Sequence, residues 1–482
     1  MIKEGIRKFY NSNLSKTIGI YQNRKIKRVV KKFKCLKIKM KYKSQIKILR
    51  EWVESDTEIA TNFLTDNTYD LLRNISLVDT NLWKHVLNKI AKYNFKNLKD
   101  KKVIEIMFLC NFAATWSCDE LFRLFLKSSQ FHPYIVVHHF NNGTPAIIEE
   151  NFNSTYDFFK KKGYEVYKDN DRKQENANII FHLSPYNDAF PASLNITTFP
   201  LTTININVPY GIYVADLSEF QYNLPSFSMY WRIYDLPFYV DLAPKYTILG
   251  SINRVGSGYC KLDALYQKQD IDEKKYWKNT NENQLKIIYA PHHSIGDRGQ
   301  RFSTFDKNYK IMLEIAKKFS KETNWIMKPH PLLKTTAIQS GLFSNEKEYD
   351  SYIEEWDQLP NARVITGGDY FDIFKTSDGM ILDSDSFLAE YLYVNKPLML
   401  LSRETQEFSE LGLPLSKVLY RVNGDDRDGI EQFIKQVLIE RKDILKDKRE
   451  DFFEKYLDYQ KKNGMLASEY IFRDICEHIQ NY

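Results

Sequence analysis

From residue 101 onward, short runs rich in β-branched and aromatic residues alternate with segments of helical period, and the alternation halts once and restarts. The first series reads "KKVIEIMFLCN" (strand), "SCDELFRLFLKSS" (helix opened by a capping serine), "HPYIVVHHF" (strand) and "STYDFFKKKGY" (helix). The strands "NANIIFHLSP" and "TTININVPYG" follow, and "KYTILGS" closes the series near residue 251. A polar bridge, "KQDIDEKKYWKNTNENQ", occupies residues 268–284. The second series then runs "LKIIYAP", "FDKNYKIMLEIAKKFSK", "NWIMKPHP", "ARVITG", "YFDIFKTS", "GMILDS", "DSFLAEYLYV" and "KPLMLLS", followed by about a hundred mostly helical residues. Strands that alternate with helices predict parallel sheets covered on both faces. The chain is therefore read as α/β, with two Rossmann-like doubly wound domains facing a cleft and a basic helical N-terminal extension. The boundaries are 1–100 for the extension, 101–267 for the first domain, 268–284 for the linker and 285–482 for the second domain with C-terminal helices.

Length supports this division, because 482 residues exceed what one ordinary core organises. Five scattered cysteines without a CxxC pair indicate neither a disulfide framework nor a zinc site and fit a reducing, cytoplasmic setting. No apolar run reaches the length of a membrane span, and the N-terminus lacks the apolar core of a secretory signal. Charge is uneven. Residues 1–50 hold 17 Lys and Arg against one acid, whereas the other 432 hold 52 basic and 61 acidic residues. Within the head, Ile26, Val29, Val30, Phe33, Leu36, Ile38 and Met40 form a rough helical stripe among lysines. Such a helix is expected to lie on an anionic membrane surface. A nucleic-acid partner is not expected, since the body is mildly acidic. The long helical N-terminal region is also compatible with a homo-oligomer.

Ligands of doubly wound sheets bind beyond the carboxyl ends of the strands, so residues there are the candidates. In the second series these are His292 and His293, followed by Asp297, Arg298 and Arg301; then Lys328 and His330; then Ser384, Asp385 and Ser386 at a helix start. Imidazoles, cations and a helix N-terminus on one rim suit a diphosphate. His138 ends a strand of the first series and is placed on the acceptor side of the cleft. Consecutive strand residues point to opposite faces, so only one of His292 and His293 enters the cleft and the pair is not expected to hold a metal.

Residues 285–400 resemble the CDP-glycerol glycerophosphotransferase family, which builds teichoic acids and related capsular polymers. The resemblance rests on "YAP" at 289–291, "KPHP" at 328–331 and "SDGMILDSDSFLAEYLYVNKP" at 377–397, with "SGYCKLDAL" upstream contributing Lys261 and Asp263. It implies a GT-B fold and transfer of glycerol phosphate from CDP-glycerol to a hydroxyl of a lipid-linked glycan or growing polymer, with release of CMP and no further cofactor. It also implies a peripheral position at the inner face of the cell membrane. By resemblance His330 contacts the diphosphate, Ser386 and the neighbouring amides bind phosphate oxygens, and Glu390 lies in the donor pocket.

Three departures follow. The family's first lobe carries a "WHG" whose histidine serves as base; here "VPYG" puts Tyr210 and Gly211 in that place. An unperturbed tyrosine, with a pKa of about 10, is a poor base at neutral pH. The family's "YAPTWR" becomes "YAPHHS", so His293, with Asp297 to orient it, is the expected replacement and His292 the second candidate. Asp385 stands where the family has a serine, which leaves CDP-ribitol or a nucleotide sugar open as donor. A non-catalytic anion- or membrane-binding protein with an inactive transferase fold is the contrasting reading.

Overall fold

The computed structural model describes residues 35–55, 68–140, 144–171, 177–186, 189–216, 222–267, 270–278, 283–296, 301–367 and 370–481. The chain divides into two compact units, Met1–Tyr93 and Asn94–Tyr482.

In the first unit residues 35–41 are helical, and helices Lys43–Glu54, Thr68–Val78 and Thr80–Lys99 follow, the last running past the boundary. Leu49, Leu72, Ile75, Trp83 and Val86 are buried. Arg50 pairs with Asp79 at 2.7 Å. The Lys89 ammonium donates to the carbonyls of Trp52 and Ser55 at the end of helix Lys43–Glu54, joining the Ser55 amide and hydroxyl already on the Trp52 carbonyl. The apolar stripe splits here: Ile38 is buried, whereas Leu36 and Met40 are 56% and 78% exposed. Ile26, Val29, Val30 and Phe33 lie outside the described residues. No described helix is long and apolar enough to cross a membrane.

The second unit holds two sheets. The first contains β1 (Ile104–Cys110), β2 (Phe131–Val137), β3 (Val166–Lys168), β4 (Ile179–His182), β5 (Ile204–Asn207), β6 (Arg232–Tyr234) and β7 (Arg254–Val255), ordered β3-β2-β1-β4-β5-β6-β7. Every neighbouring pair is parallel. The second contains β8 (Leu285–Ala290), β9 (Thr323–Met327), β10 (Ala362–Val364), β11 (Gly379–Leu382), β12 (Leu398–Ser402) and β13 (Tyr420–Asn423), ordered β10-β9-β8-β11-β12-β13 and again all parallel. This is the GT-B-like, doubly wound α/β architecture expected from the alternating pattern. Both faces are covered, so the central strands are buried along their length. In the second lobe Tyr289, Trp325 and Trp356 pack at the centre, with Tyr289 and Trp356 stacked at 5.8 Å.

Some segments differ from the sequence reading. "KYTILGS" is not a strand: residues 237–246 form a helix that ends in turns, and the sheet continues through the short β6 and β7. The bridge at 268–284 is anchored, since Trp277 is buried and its indole N–H donates to Thr376. The last helix, Ala467–Asn481, expected in the second domain, packs on the first. Phe472 meets Phe125 and Phe131, and Asp474 accepts a hydrogen bond from Tyr234.

The lobes are also joined near the cleft. Ser409 N–H donates to the Val214 carbonyl at 2.8 Å, and Ala215 bridges to Phe408. Gly412 permits this approach, because a Cβ there would lie 2.1 Å from that carbonyl oxygen. Gly258 (φ +105) is required twice over, by its left-handed backbone and by the Tyr459 ring, which a Cβ would meet at 2.2 Å.

Candidate active site

Strand order reverses between β1 and β4 in the first sheet and between β8 and β11 in the second. Crevices open at such switch points. A cleft of about 910 Å³ joins the two, near the top of the usual range for ligand sites, roughly 300–1,000 Å³. His293, Lys328, His330, Ser384 and Ser386 line it from the second lobe, and Asn111, Phe112, Ser184, Tyr186 and Tyr210 from the first.

The histidine pair is fixed by Asp383 at the end of β11. Its buried carboxylate accepts hydrogen bonds from the His292 and Thr304 amides and from the Ser303 and Thr304 hydroxyls. His292 is thereby turned inward, with Nδ1 2.8 Å from Ser294 Oγ, and His293 faces the cleft. Ser294 Oγ also accepts the amides of Phe302 and Ser303, and Arg403 ties the same loop through the Gly296 and Ser303 carbonyls.

After β9 the "KPHP" turn is held by Lys328 N–H to the Tyr289 carbonyl and His330 N–H to the Pro291 carbonyl. The Leu332 amide donates to His330 Nδ1 at 3.1 Å. That bond fixes the tautomer: the neutral ring carries its proton on Nε2 and offers a donor there. His293 stacks on His330 with ring centres 4.1 Å apart, and His292 meets His330 edge-on at 5.0 Å. Burial drives all three rings to the neutral form. It lowers His293 to about 4, and takes His292 and His330 well below their ordinary value, with neighbouring His293 adding to both. His293 Nδ1 is buried without a hydrogen-bond partner among the described residues.

The ring nitrogens of His292, His293 and His330 lie within 4.8 Å of one another, a grouping that could receive a divalent ion. His330 does not suit that role as placed, since its free nitrogen is the protonated one and ligation requires a lone pair.

Other residues singled out from the sequence separate into two sets. Lys328 lines the cleft with its ammonium near the Ile365 and Gly367 carbonyls. Gly211 borders Ser386 across the gap. Tyr210 shares a hydroxyl hydrogen bond with Tyr186, and burial raises its pKa well above the ordinary tyrosine value, so it does not serve as a base. Lys261 donates to the Ala114 and Tyr210 carbonyls. Glu390 is fully buried behind Tyr370, whose hydroxyl it accepts, and reaches the cleft only through that ring. Burial raises the Glu390 pKa while Lys261 nearby opposes the rise.

The remainder lie elsewhere. Asp385 does not face the donor side: its Oδ1 accepts the Val214 and Ala215 amides at 2.7 Å each, tying the lobes together. Asp263 is buried under the C-terminal segment, accepting from the Tyr459 hydroxyl and the Ala467 and Ser468 amides. His138 is buried against Phe190 with Nδ1 on the His139 carbonyl, away from the cleft. Arg301 is exposed in a left-handed conformation and does not line the cleft. Asp297 and Arg298 lie outside the described residues. The helix at Ser386–Glu390 has five residues and continues as a 3₁₀ turn, so its dipole is that of about one turn. Asp383, expected with Ser384–Ser386 in a phosphate-binding helix start, instead holds the loops that carry the histidines. Ser294, Arg403 and the first-lobe wall residues Phe112, Phe140 and Tyr186 carried no signal in the sequence.

Residues 251–477 match the family described as CDP-Glycerol:Poly(glycerophosphate) glycerophosphotransferase. The resemblance read in the C-terminal motifs is thereby borne out, and the chain is a transferase. Among solved structures, the wall teichoic acid polymerase TagF is similar over 88% of this chain and 99% of its own, at 13% identity and a TM-score of 0.53. A putative UDP-N-acetylglucosamine 2-epimerase from Listeria monocytogenes is similar over 79% of this chain and 98% of its own, at 12% identity and a TM-score of 0.50. At such identities both support the fold alone. No curated protein matches the chain.

Proposed function

We propose that this chain, whose residues 251–477 match the CDP-glycerol:poly(glycerophosphate) glycerophosphotransferase family, transfers glycerol phosphate from CDP-glycerol to an acceptor hydroxyl and releases CMP. The observation that carries the reading is His330: a neutral ring with its N–H forced onto Nε2, beside Lys328, in the turn after β9 that lines the cleft. A neutral N–H donor and a cation suit the paired phosphates. Ser384 and Ser386 line the same space.

His293 is the base. The acceptor oxygen attacks the phosphorus bearing glycerol, and its proton passes to a His293 ring nitrogen. The bond from that phosphorus to the bridging oxygen breaks, and CMP leaves with the electron pair. A base with a pKa near 4 is weak in the empty site, but the negative charge of the bound diphosphate raises it toward the working pH.

The acceptor hydroxyl arrives on a lipid-linked or polymeric glycan at an anionic membrane. Leu36, Met40 and Ile48 are exposed beside Lys37, Lys39, Lys43 and Lys47, an arrangement suited to an interfacial helix. The reading is tested by incubating the purified chain with CDP-glycerol, CDP-ribitol or a UDP-sugar. CMP formed from CDP-glycerol is expected, and turnover confined to a UDP-sugar would refute it.

A further inference from the structure

The two walls of the cleft differ in charge in a way that speaks to the acceptor. The first-lobe wall presents Asn111, Phe112, Phe140, Ser184, Tyr186 and Tyr210. Phe112 and Phe140 are half-buried and meet edge to face at 5.6 Å, and the Tyr186 and Tyr210 hydroxyls bond each other. Among the described residues lining this side the only charge is Lys261, which donates to main-chain carbonyls and is balanced by the buried Glu390.

The sequence behind this wall is depleted of cations over a long span. The 58 residues from Gln174 to Trp231 contain no Lys or Arg but do contain Glu175, Asp188, Asp216 and Glu219. With 69 Lys and Arg in 482 residues, a random stretch of that length would hold about eight. The 32 residues from Ser128 to Phe159 likewise contain none. These segments supply β2, β4, β5 and the loops that reach the cleft.

A growing glycerol-phosphate chain carries a negative charge on every unit, and a protein surface that holds such a polyanion needs matching cations. This wall has aromatic faces, an amide and hydroxyls instead. That is the chemistry that receives a neutral ring with hydroxyl groups, by stacking its C–H faces and bonding its oxygens. Resting on the glycerophosphotransferase reading, we propose that the acceptor bound here is a neutral carbohydrate hydroxyl, so that the enzyme adds glycerol phosphate to a sugar rather than to a preformed glycerol-phosphate chain.

The test gives the purified full chain CDP-glycerol with either a neutral alkyl glycoside bearing a two-sugar head or a glycerol-phosphate trimer, and follows CMP release and product mass at low and raised salt. The expected result is a kcat/KM about tenfold or more higher for the glycoside, with a KM insensitive to salt. Equal or better use of the trimer overturns the proposal. Calorimetry with CDP-glycerol separates the two readings. Donor binding with no turnover of the glycoside overturns the acceptor proposal alone, whereas no donor binding overturns the transferase reading with it. Phe112→Ala is expected to raise the KM for the glycoside about three- to tenfold and leave that for CDP-glycerol unchanged.

Discussion

The two lobes have nearly the same sheet and opposite chemistry. Each is parallel with the order reversing beside its first strand, so each delivers the loops after several of its strands to the same cleft. From β8, β9 and β11 come His293, His330, Lys328 and two serines; from β1, β2, β4 and β5 come an amide, a serine and aromatic rings. The fold therefore decides where substrates meet, and the few residues after each strand decide which substrate each wall can hold.

This contrast can be broken most directly on the second-lobe wall. Replacing His293 with alanine is expected to lower kcat by about 10²- to 10⁴-fold if it is the base, with CDP-glycerol binding retained by calorimetry. Replacing His330 with alanine removes a charge-stabilising donor and is expected to cost about 10²- to 10³-fold in kcat/KM. Stability rather than chemistry is the expected casualty of Asp385→Ala. It strands two buried amides of the first lobe, at about 1–3 kcal/mol each, read by urea unfolding.

The pH profile sharpens the comparison further. Since kcat/KM reports the free enzyme, and burial lowers His293 to about 4, its acid limb should fall well below the ordinary histidine range near 6.5. An acid limb at 6.5 would mean that the ring is solvated before substrate binds. The smallest effect is expected on the other wall: Tyr210→Phe should alter kcat by only a few-fold, because its high pKa removes it from proton transfer.

Legibility in the sequence followed the same physics. Strands buried on both faces wrote themselves as short apolar runs, so β1, β2, β4, β5, β8, β9, β10, β11 and β12 were visible. The short strands β3, β6, β7 and β13 keep part of their length half-buried or exposed and so wrote no continuous apolar run. Among the site residues, the positions of His293, Lys328 and His330 followed from their place after strands. Asp385, Asp263 and His138 carry the same residue types as ligand-binding groups, but their partners are remote or buried. Val214 is 171 residues from Asp385, and no local pattern announces that pairing. The aromatic wall was hidden by abundance, since 31 Phe and 32 Tyr gave no reason to single out Phe112 or Tyr186.

The return of helix Ala467–Asn481 to the first lobe has a consequence for synthesis. While the ribosome is still making the second lobe, Phe125 and Phe131 lack the ring of Phe472 that covers them, and the first sheet waits unfinished for more than two hundred residues of translation. The two halves therefore mature together, and a nascent chain interrupted anywhere before its final helix leaves an oily patch on its earliest sheet for chaperones to guard.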